Sequence, residues 1–304
     1  MNLERIPKSV RIMEVAPRDG LQNESTFVDT KHKVELVEDL VRCGVKRVEV
    51  TAFVSSKWIP PLADHMEVAD GVRREAGVSY AALVPNMKGY ERARAHKMDE
   101  VSFVLAASNS HNMKNIHAST DEAFARYAEV ATQAKEDGIP FRAYISCAFG
   151  CPYEGEISEK EVLRLSKAFM ALGAYEIAVS DTIGVGHPLQ TLNLINLLSQ
   201  EIPMENIALH LHDTRGMALA NIFAALTLGV VSFDCSVAGL GGCPYAPGAA
   251  GNVASEDLIN MLHMMGIETG IDLNMLCDVS LKIEKLLGRH LPSKLLAVRR
   301  CVCE

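Results

Sequence analysis

Ile207-Ala208-Leu209-His210-Leu211-His212-Asp213 reads as a short buried strand whose end carries two polar rings. Side chains alternate along a strand, so His210 and His212 share one side while Leu209 and Leu211 share the other. A lone buried histidine is ordinarily a hydrogen-bonded core residue, since the neutral ring keeps one donor and one acceptor. Two imidazoles side by side on an apolar strand gain nothing from burial unless one ligand satisfies both. A metal ion is the simplest such ligand.

Working outward, the same kind of short apolar or β-branched run recurs at 10–15, 46–52, 79–84, 101–106, 141–147, 175–180 and 232–237. With 207–212 that makes eight strands. Amphipathic segments lie between them: over 30–43, Val34, Val37, Leu40 and Val41 keep helical spacing, and the segment 119–137 stops at Gly138. Eight β/α alternations predict an α/β fold, a parallel (β/α)8 TIM barrel with additional C-terminal helices, notably 273–287. A doubly wound open sheet would carry a glycine-rich phosphate loop after its first strand, and Ala16-Pro17-Arg18-Asp19-Gly20 is not one. No linker or shift in composition divides the chain. It reads as a single domain, 1–304, with 267–304 as a C-terminal helical extension.

Composition narrows the function. The 304 residues are 48% hydrophobic, ample for a large core, and 38 acidic against 30 basic residues give a net charge of −8 without a basic run. That balance argues against nucleic acid as a partner. No apolar stretch approaches the roughly 18 residues of a membrane span, and the N-terminus has no signal-peptide core, so a cytoplasmic enzyme is expected. The eight cysteines (43, 147, 151, 235, 243, 277, 301 and 303) are scattered through apolar segments and read as reduced thiols. Cys147 and Cys151 have no partner pair at zinc-finger spacing. Cys301-Val302-Cys303-Glu304 ends in a residue unsuited to prenylation.

In a TIM barrel, chemistry sits at the C-terminal ends of the strands. Arg18 and Asp19 follow the first strand, Glu49 lies near the end of the second, Asp181 follows the sixth, and His210 and His212 end the seventh. After the eighth comes a glycine-rich loop, Gly239-Leu240-Gly241-Gly242-Cys243, and then Gly251 and Asn252. Asp19, His210, His212 and Asn252 mix hard oxygen with imidazole nitrogen and include no thiolate. That suits Mg²⁺, Mn²⁺, Fe²⁺, Co²⁺ or Zn²⁺. In a purely structural role, Asp19 could serve as a turn carboxylate and Asn252 as a helix cap. The permanent charge of Arg18 could stabilise an enolate, Glu49 or Asp181 could act as base or hold Arg18 in place, and Cys243 on a flexible loop could deliver a proton. Cys243 could equally be a small residue packed in a tight turn.

Glu14-Val15-Ala16-Pro17-Arg18-Asp19-Gly20-Leu21-Gln22-Asn23-Glu24 resembles the opening motif of the hydroxymethylglutaryl-CoA lyase family. Phe53-Val54-Ser55, Cys151-Pro152-Tyr153-Glu154-Gly155, Ser180-Asp181-Thr182-Ile183-Gly184, His210-Leu211-His212-Asp213-Thr214 and Gly239 to Ala246 follow in family order. The likeness covers about residues 10 to 290. It implies Mg²⁺ or Mn²⁺ held by Asp19, His210, His212 and Asn252, an acyl-CoA substrate, and a homodimer. It further implies that Arg18 stabilises the enolate of departing acetyl-CoA and that Cys243 protonates it. His210 would take part in the chemistry as well as in metal binding, Glu49 and Asp181 would support Arg18 and proton transfer, and Gln22 would lie near the substrate. The implied reaction is a retro-Claisen cleavage of 3-hydroxy-3-methylglutaryl-CoA.

Two segments depart from the family pattern, Ser56 with Pro61 and the run Ser108-Asn109-Ser110-His111-Asn112. They keep open a related 3-hydroxy-3-substituted acyl-CoA as substrate. A Claisen-condensing synthase of the same superfamily and a noncatalytic metal-binding scaffold are also compatible with these residues. Cys301 and Cys303 resemble in position a C-terminal thiol that links subunits in some relatives.

Overall fold

Eight parallel strands close into a barrel: β1 Arg11–Glu14, β2 Arg47–Ala52, β3 Ser79–Leu83, β4 Glu100–Ala106, β5 Phe141–Ser146, β6 Glu176–Asp181, β7 Ile207–Leu211 and β8 Ser232–Cys235. Each pairs with its neighbour in sequence. β8 returns to β1 with Arg11 opposite Ser232 and Glu14 opposite Cys235, so the sheet has no edge. Every strand end falls within two residues of the position expected from the sequence. This computed structural model describes residues 3–243 and 246–303, and the side chains of 243–250, 302 and 303 lie outside that description.

Helices α1 Thr30–Arg42, α2 His65–Gly71, α3 Met87–Ala95, α4 Asn109–Ile116, α5 Thr120–Glu136, α6 Glu159–Leu172, α7 Pro188–Leu198 and α8 Ala218–Leu226 lie between the strands. Local chemistry sets their starts. Asp29 caps α1 by accepting from the His32 amide, and Ser119 and Glu122 form a reciprocal capping box at α5. Past β8, a short antiparallel ribbon, β9 Gly242–Cys243 with β10 Ala246–Ala250, occupies the loop that the sequence marks only as glycine-rich. Helices α9 Ser255–Met264, α10 Leu273–Leu287 and α11 Lys294–Cys303 complete the chain.

The two faces of the strands differ in kind. Val101, Phe103 and Leu105 of β4, Ile177 and Val179 of β6, and Ile207, Leu209 and Leu211 of β7 point outward into the apolar layer shared with the helices. Their alternate neighbours point into the barrel: Arg142 and Tyr144, Glu176, His210, and Ser232 and Asp234, all buried. The interior is packed with charge, and the helices supply the apolar cover. Among the described residues, no helix is long and apolar enough to cross a membrane.

Candidate metal centre and active site

After β1 the chain makes one π-helical turn, Ala16–Gly20, in which the amides of Arg18, Asp19 and Gly20 all turn towards the Val15 carbonyl at 3.1, 2.8 and 3.2 Å. Such turns recur at functional sites because they re-aim side chains. Here the turn sends two neighbouring side chains to the barrel mouth. Asp19, His210 and His212 each offer one ligand atom, and these atoms lie within 4.8 Å of one another. Asp19 Oδ2 is 3.8 Å from His210 Nε2 and 3.7 Å from His212 Nε2.

Asn252 arrives from the far side of the ribbon, where its backbone bridges that of His212. Its amide nitrogen donates to Asp19 Oδ2 at 2.8 Å and to the Leu240 carbonyl at 3.2 Å. Turning that amide over would present its oxygen instead. Gly241 and Gly251 make the approach possible: a Cβ on Gly241 would come 2.7 Å from the Asn252 amide nitrogen, and one on Gly251 would come 2.7 Å from the Gly241 carbonyl carbon. One carboxylate, two imidazoles and a carboxamide, buried or nearly so, suit a divalent cation of hard or borderline character. All four expected ligands meet.

Arg18 stands beside this cluster, 4% exposed, with Nε donating to Glu49 Oε2 at 2.5 Å and Nη1 paired with Asp19. Its guanidinium lies 5.6 Å from the centre of the Tyr144 ring, and the second Glu49 oxygen accepts from the Ser102 hydroxyl. Burial by itself would weaken the Arg18 charge, but Glu49 and Asp19 outweigh it and hold the guanidinium protonated. Burial likewise works against the Asp19 carboxylate, yet Arg18 and then the two histidines hold its carboxyl well below the usual range.

Asp181 is held by the loop that follows it: its two oxygens accept from the backbone amides of Val185 at 3.0 Å and Gly186 at 2.8 Å, which fixes the loop after β6. Burial raises its carboxyl, partly offset by those amides and by nearby His212. Gln22 is half-buried in the helical turn just past the π turn. Cys243 lies in β9, opposite Ala246 at the end of the ribbon away from Gly241 and Gly251; its side chain and that of Cys303 lie outside the described residues. Of the segments that depart from the family pattern, Pro61 gives its carbonyl to buried Lys33 at 2.6 Å, and Ser108 caps α4 at the rim and contacts Cys151 Sγ at 2.9 Å.

Sequence reading missed the layer behind the site. His210 Nδ1 lies 3.1 Å from Asp234 Oδ2, and Asp234 is gripped by Arg142, Nη1 to Oδ1 at 3.1 Å and Nη2 to Oδ1 at 3.0 Å. Burial would raise the Asp234 carboxyl, but Arg142 and His210 bring it down to about 2. Glu14, at the end of β1, accepts from the Ala16 and Val237 amides and from the Ser255 hydroxyl, tying the first β/α loop to the last. The signal was available: charged residues at inward positions of otherwise apolar strands, the same oddity that marks the histidine pair.

Comparison with known proteins agrees with this geometry. A family model described as HMGL-like matches residues 9–283. The chain is 47% identical to the mouse protein named 3-hydroxy-3-methylglutaryl-CoA lyase, cytoplasmic, over 96% of this chain and 85% of that protein. It is also 47% identical to the chicken protein named hydroxymethylglutaryl-CoA lyase, mitochondrial, over 95% and 97%. The two compartments in those names accompany the same identity, so similarity does not choose between them. The crystal structure of the Bacillus subtilis HMG-CoA lyase superposes with a TM-score of 0.96 at 45% identity, covering 99% of this chain and 100% of that one. With its barrel, its rim residues and its sequence in accord over nearly the whole length, the chain belongs to the hydroxymethylglutaryl-CoA lyase family.

Proposed function

We propose that this chain cleaves 3-hydroxy-3-methylglutaryl-CoA to acetoacetate and acetyl-CoA. The observation that carries the reading is the convergence of Asp19, His210, His212 and Asn252 beside a buried arginine held by a carboxylate. Those four residues would hold Mg²⁺ or Mn²⁺, which when bound supplies Lewis acidity to the substrate's oxygens. In the reaction the tertiary alcohol loses its proton, the C2–C3 bond breaks, and its electron pair becomes the thioester enolate. A proton delivered to C2 completes acetyl-CoA.

Arg18 meets the enolate oxygen with a charge whose position is fixed before substrate arrives, so little reorganisation is left for the transition state. Glu49 holds that charge and is itself held by Ser102. Glu49 is committed to Arg18 and Ser102, so we assign the alcohol proton to Asp181, whose carboxylate, tied to its loop by two amides, keeps lone pairs to accept it. In this reading Cys243, on the ribbon, donates the proton to C2, and Gln22 contacts the substrate. The working form we propose is a homodimer in a reducing compartment such as the cytoplasm, in keeping with the free thiols of Cys43, Cys147, Cys151, Cys235, Cys277 and Cys301.

Acetyl-CoA release from a panel of branched hydroxyacyl-CoAs, with Mg²⁺ or Mn²⁺ and with EDTA, tests the reading. Turnover should be fastest with the 3-methyl substrate and abolished by chelation. Arg18→Gln and Cys243→Ser should each lower it by on the order of 100-fold or more, as loss of a group acting on transition-state charge does. A preference for another 3-substituent would redefine the substrate, and metal-independent turnover would remove the proposed centre. Light scattering on the same preparation should read twice the chain mass.

A further inference from the structure

Behind the rim, an unbroken column of polar contacts runs down the barrel axis. Asp234 meets His210 Nδ1 at 3.1 Å on its upper side. Below it, Arg142 holds both Asp234 oxygens and reaches Glu176 Oε2 at 2.9 Å. Glu176 Oε1 in turn accepts from Ser232 at 3.0 Å and from Arg47 at 3.0 Å, and Arg47 continues to Tyr175, whose hydroxyl donates to Glu100 at 2.8 Å. The Asp234 and Arg142 side chains have no solvent exposure, and Asp234 sits directly opposite His210 in the pairing of β7 with β8.

An ionised carboxylate can only accept a hydrogen bond. A neutral imidazole facing it therefore carries its proton on the facing nitrogen and leaves the other nitrogen bare. In His210 the bare atom is Nε2, the one 3.8 Å from Asp19. Carboxylates placed behind metal-binding histidines act in this way elsewhere, fixing tautomer and ring plane and raising ligand basicity. Tyr144 adds an edge: its ring packs against the His210 ring at 5.4 Å and 82°, and Arg142 lies 4.7 Å from the centre of the same Tyr144 ring.

From this we infer that Asp234, locked by Arg142, is a positioning residue that sets the Nδ1–H tautomer of His210 and presents Nε2 to the divalent cation. The inference rests on the metal centre proposed above and names the residue that makes one of its ligands competent. Asp234 touches neither substrate nor cation; it acts through His210.

Mn²⁺ titration of the metal-free protein, followed by the EPR signal of the free ion, tests it without turnover. Wild type should bind about one equivalent, and Asp234→Asn, with an unchanged circular dichroism spectrum, should bind about 10- to 100-fold more weakly. Equal affinity in the two proteins overturns the role of Asp234 and leaves the metal centre standing. No binding by wild type overturns the metal centre and this inference together. Should Asp234→Asn fail to fold, nitrogen-15 NMR of histidine-labelled, metal-free wild type at pH 8 decides, with the His210 resonances assigned by their loss in His210→Gln. A proton on Nδ1 alone supports the inference, and any other state of that ring overturns it.

Discussion

The outer and inner faces of β4 to β8 are made from alternate residues of the same short strands, yet they obey different rules. Outward, Phe103, Ile177 and Leu209 meet helices through apolar contact alone, where shape and volume decide the energy and similar residues can stand in for one another. Inward, Arg142, Glu176 and Asp234 meet each other and the polar groups above and below them, His210, Ser232 and Arg47 among them. There each charge is tolerable because its partner is in place, and removing one strands the rest. The same strands thus carry a forgiving wall and an unforgiving column, and the column ends at the site.

The sharpest way to break that contrast is Arg142→Met, which deletes the cation shared by Asp234 and Glu176. Unfolding in urea should show a loss of about 3–5 kcal/mol, the range for an uncompensated buried charge. A loss under about 1 kcal/mol would mean that the column relaxes as easily as the wall.

A second probe concerns Glu14 and Glu256, each pushed up to about 7, chiefly by burial, with the Glu256 carboxylate adding to the rise at Glu14. A folded-state value above the unfolded 4.5 means that the native chain binds more protons between those limits. This contribution to stability is full below about 4.5 and lost as pH rises through about 7, on the order of 3 kcal/mol for either group alone. Glu14→Gln keeps an acceptor for the Ala16 and Val237 amides and should flatten that decline; an unchanged slope in melting temperature between pH 5 and 7.5 would contradict it. On the outer wall the effect should be smallest. Ile177→Val removes one methylene and should cost about 0.5–1.5 kcal/mol by the same urea measurement, with turnover unaltered. A loss equal to that of Arg142→Met would erase the distinction between the faces.

What could be read in the sequence follows the same division. Strand positions were legible because the wall residues recur with period two and are interrupted by helices of period 3.6. The four ligand candidates were legible because polar residues gather at strand ends, where this fold puts its chemistry. The contacts of Asp181 were not legible for a local reason: a carboxylate at a strand end can serve the next loop as well as a neighbouring arginine, and its bond to the loop depends on Gly186, whose missing Cβ would otherwise come 2.9 Å from Asp181 Oδ2. Asp234 and Arg142 lie in different strands, 92 residues apart in sequence, and only barrel closure shows that they meet. The ribbon at 242–250 reads as a loop because glycine and proline hide a strand pattern.

Gly241 and Gly251 face each other so closely that not even a methyl group fits between them. They clamp the foot of the ribbon, and that foot continues straight into Asn252. The strand bearing Cys243 and the amide resting on Asp19 therefore share one root. A methyl group at Gly241 would therefore displace the foot of the ribbon and the Asn252 amide together.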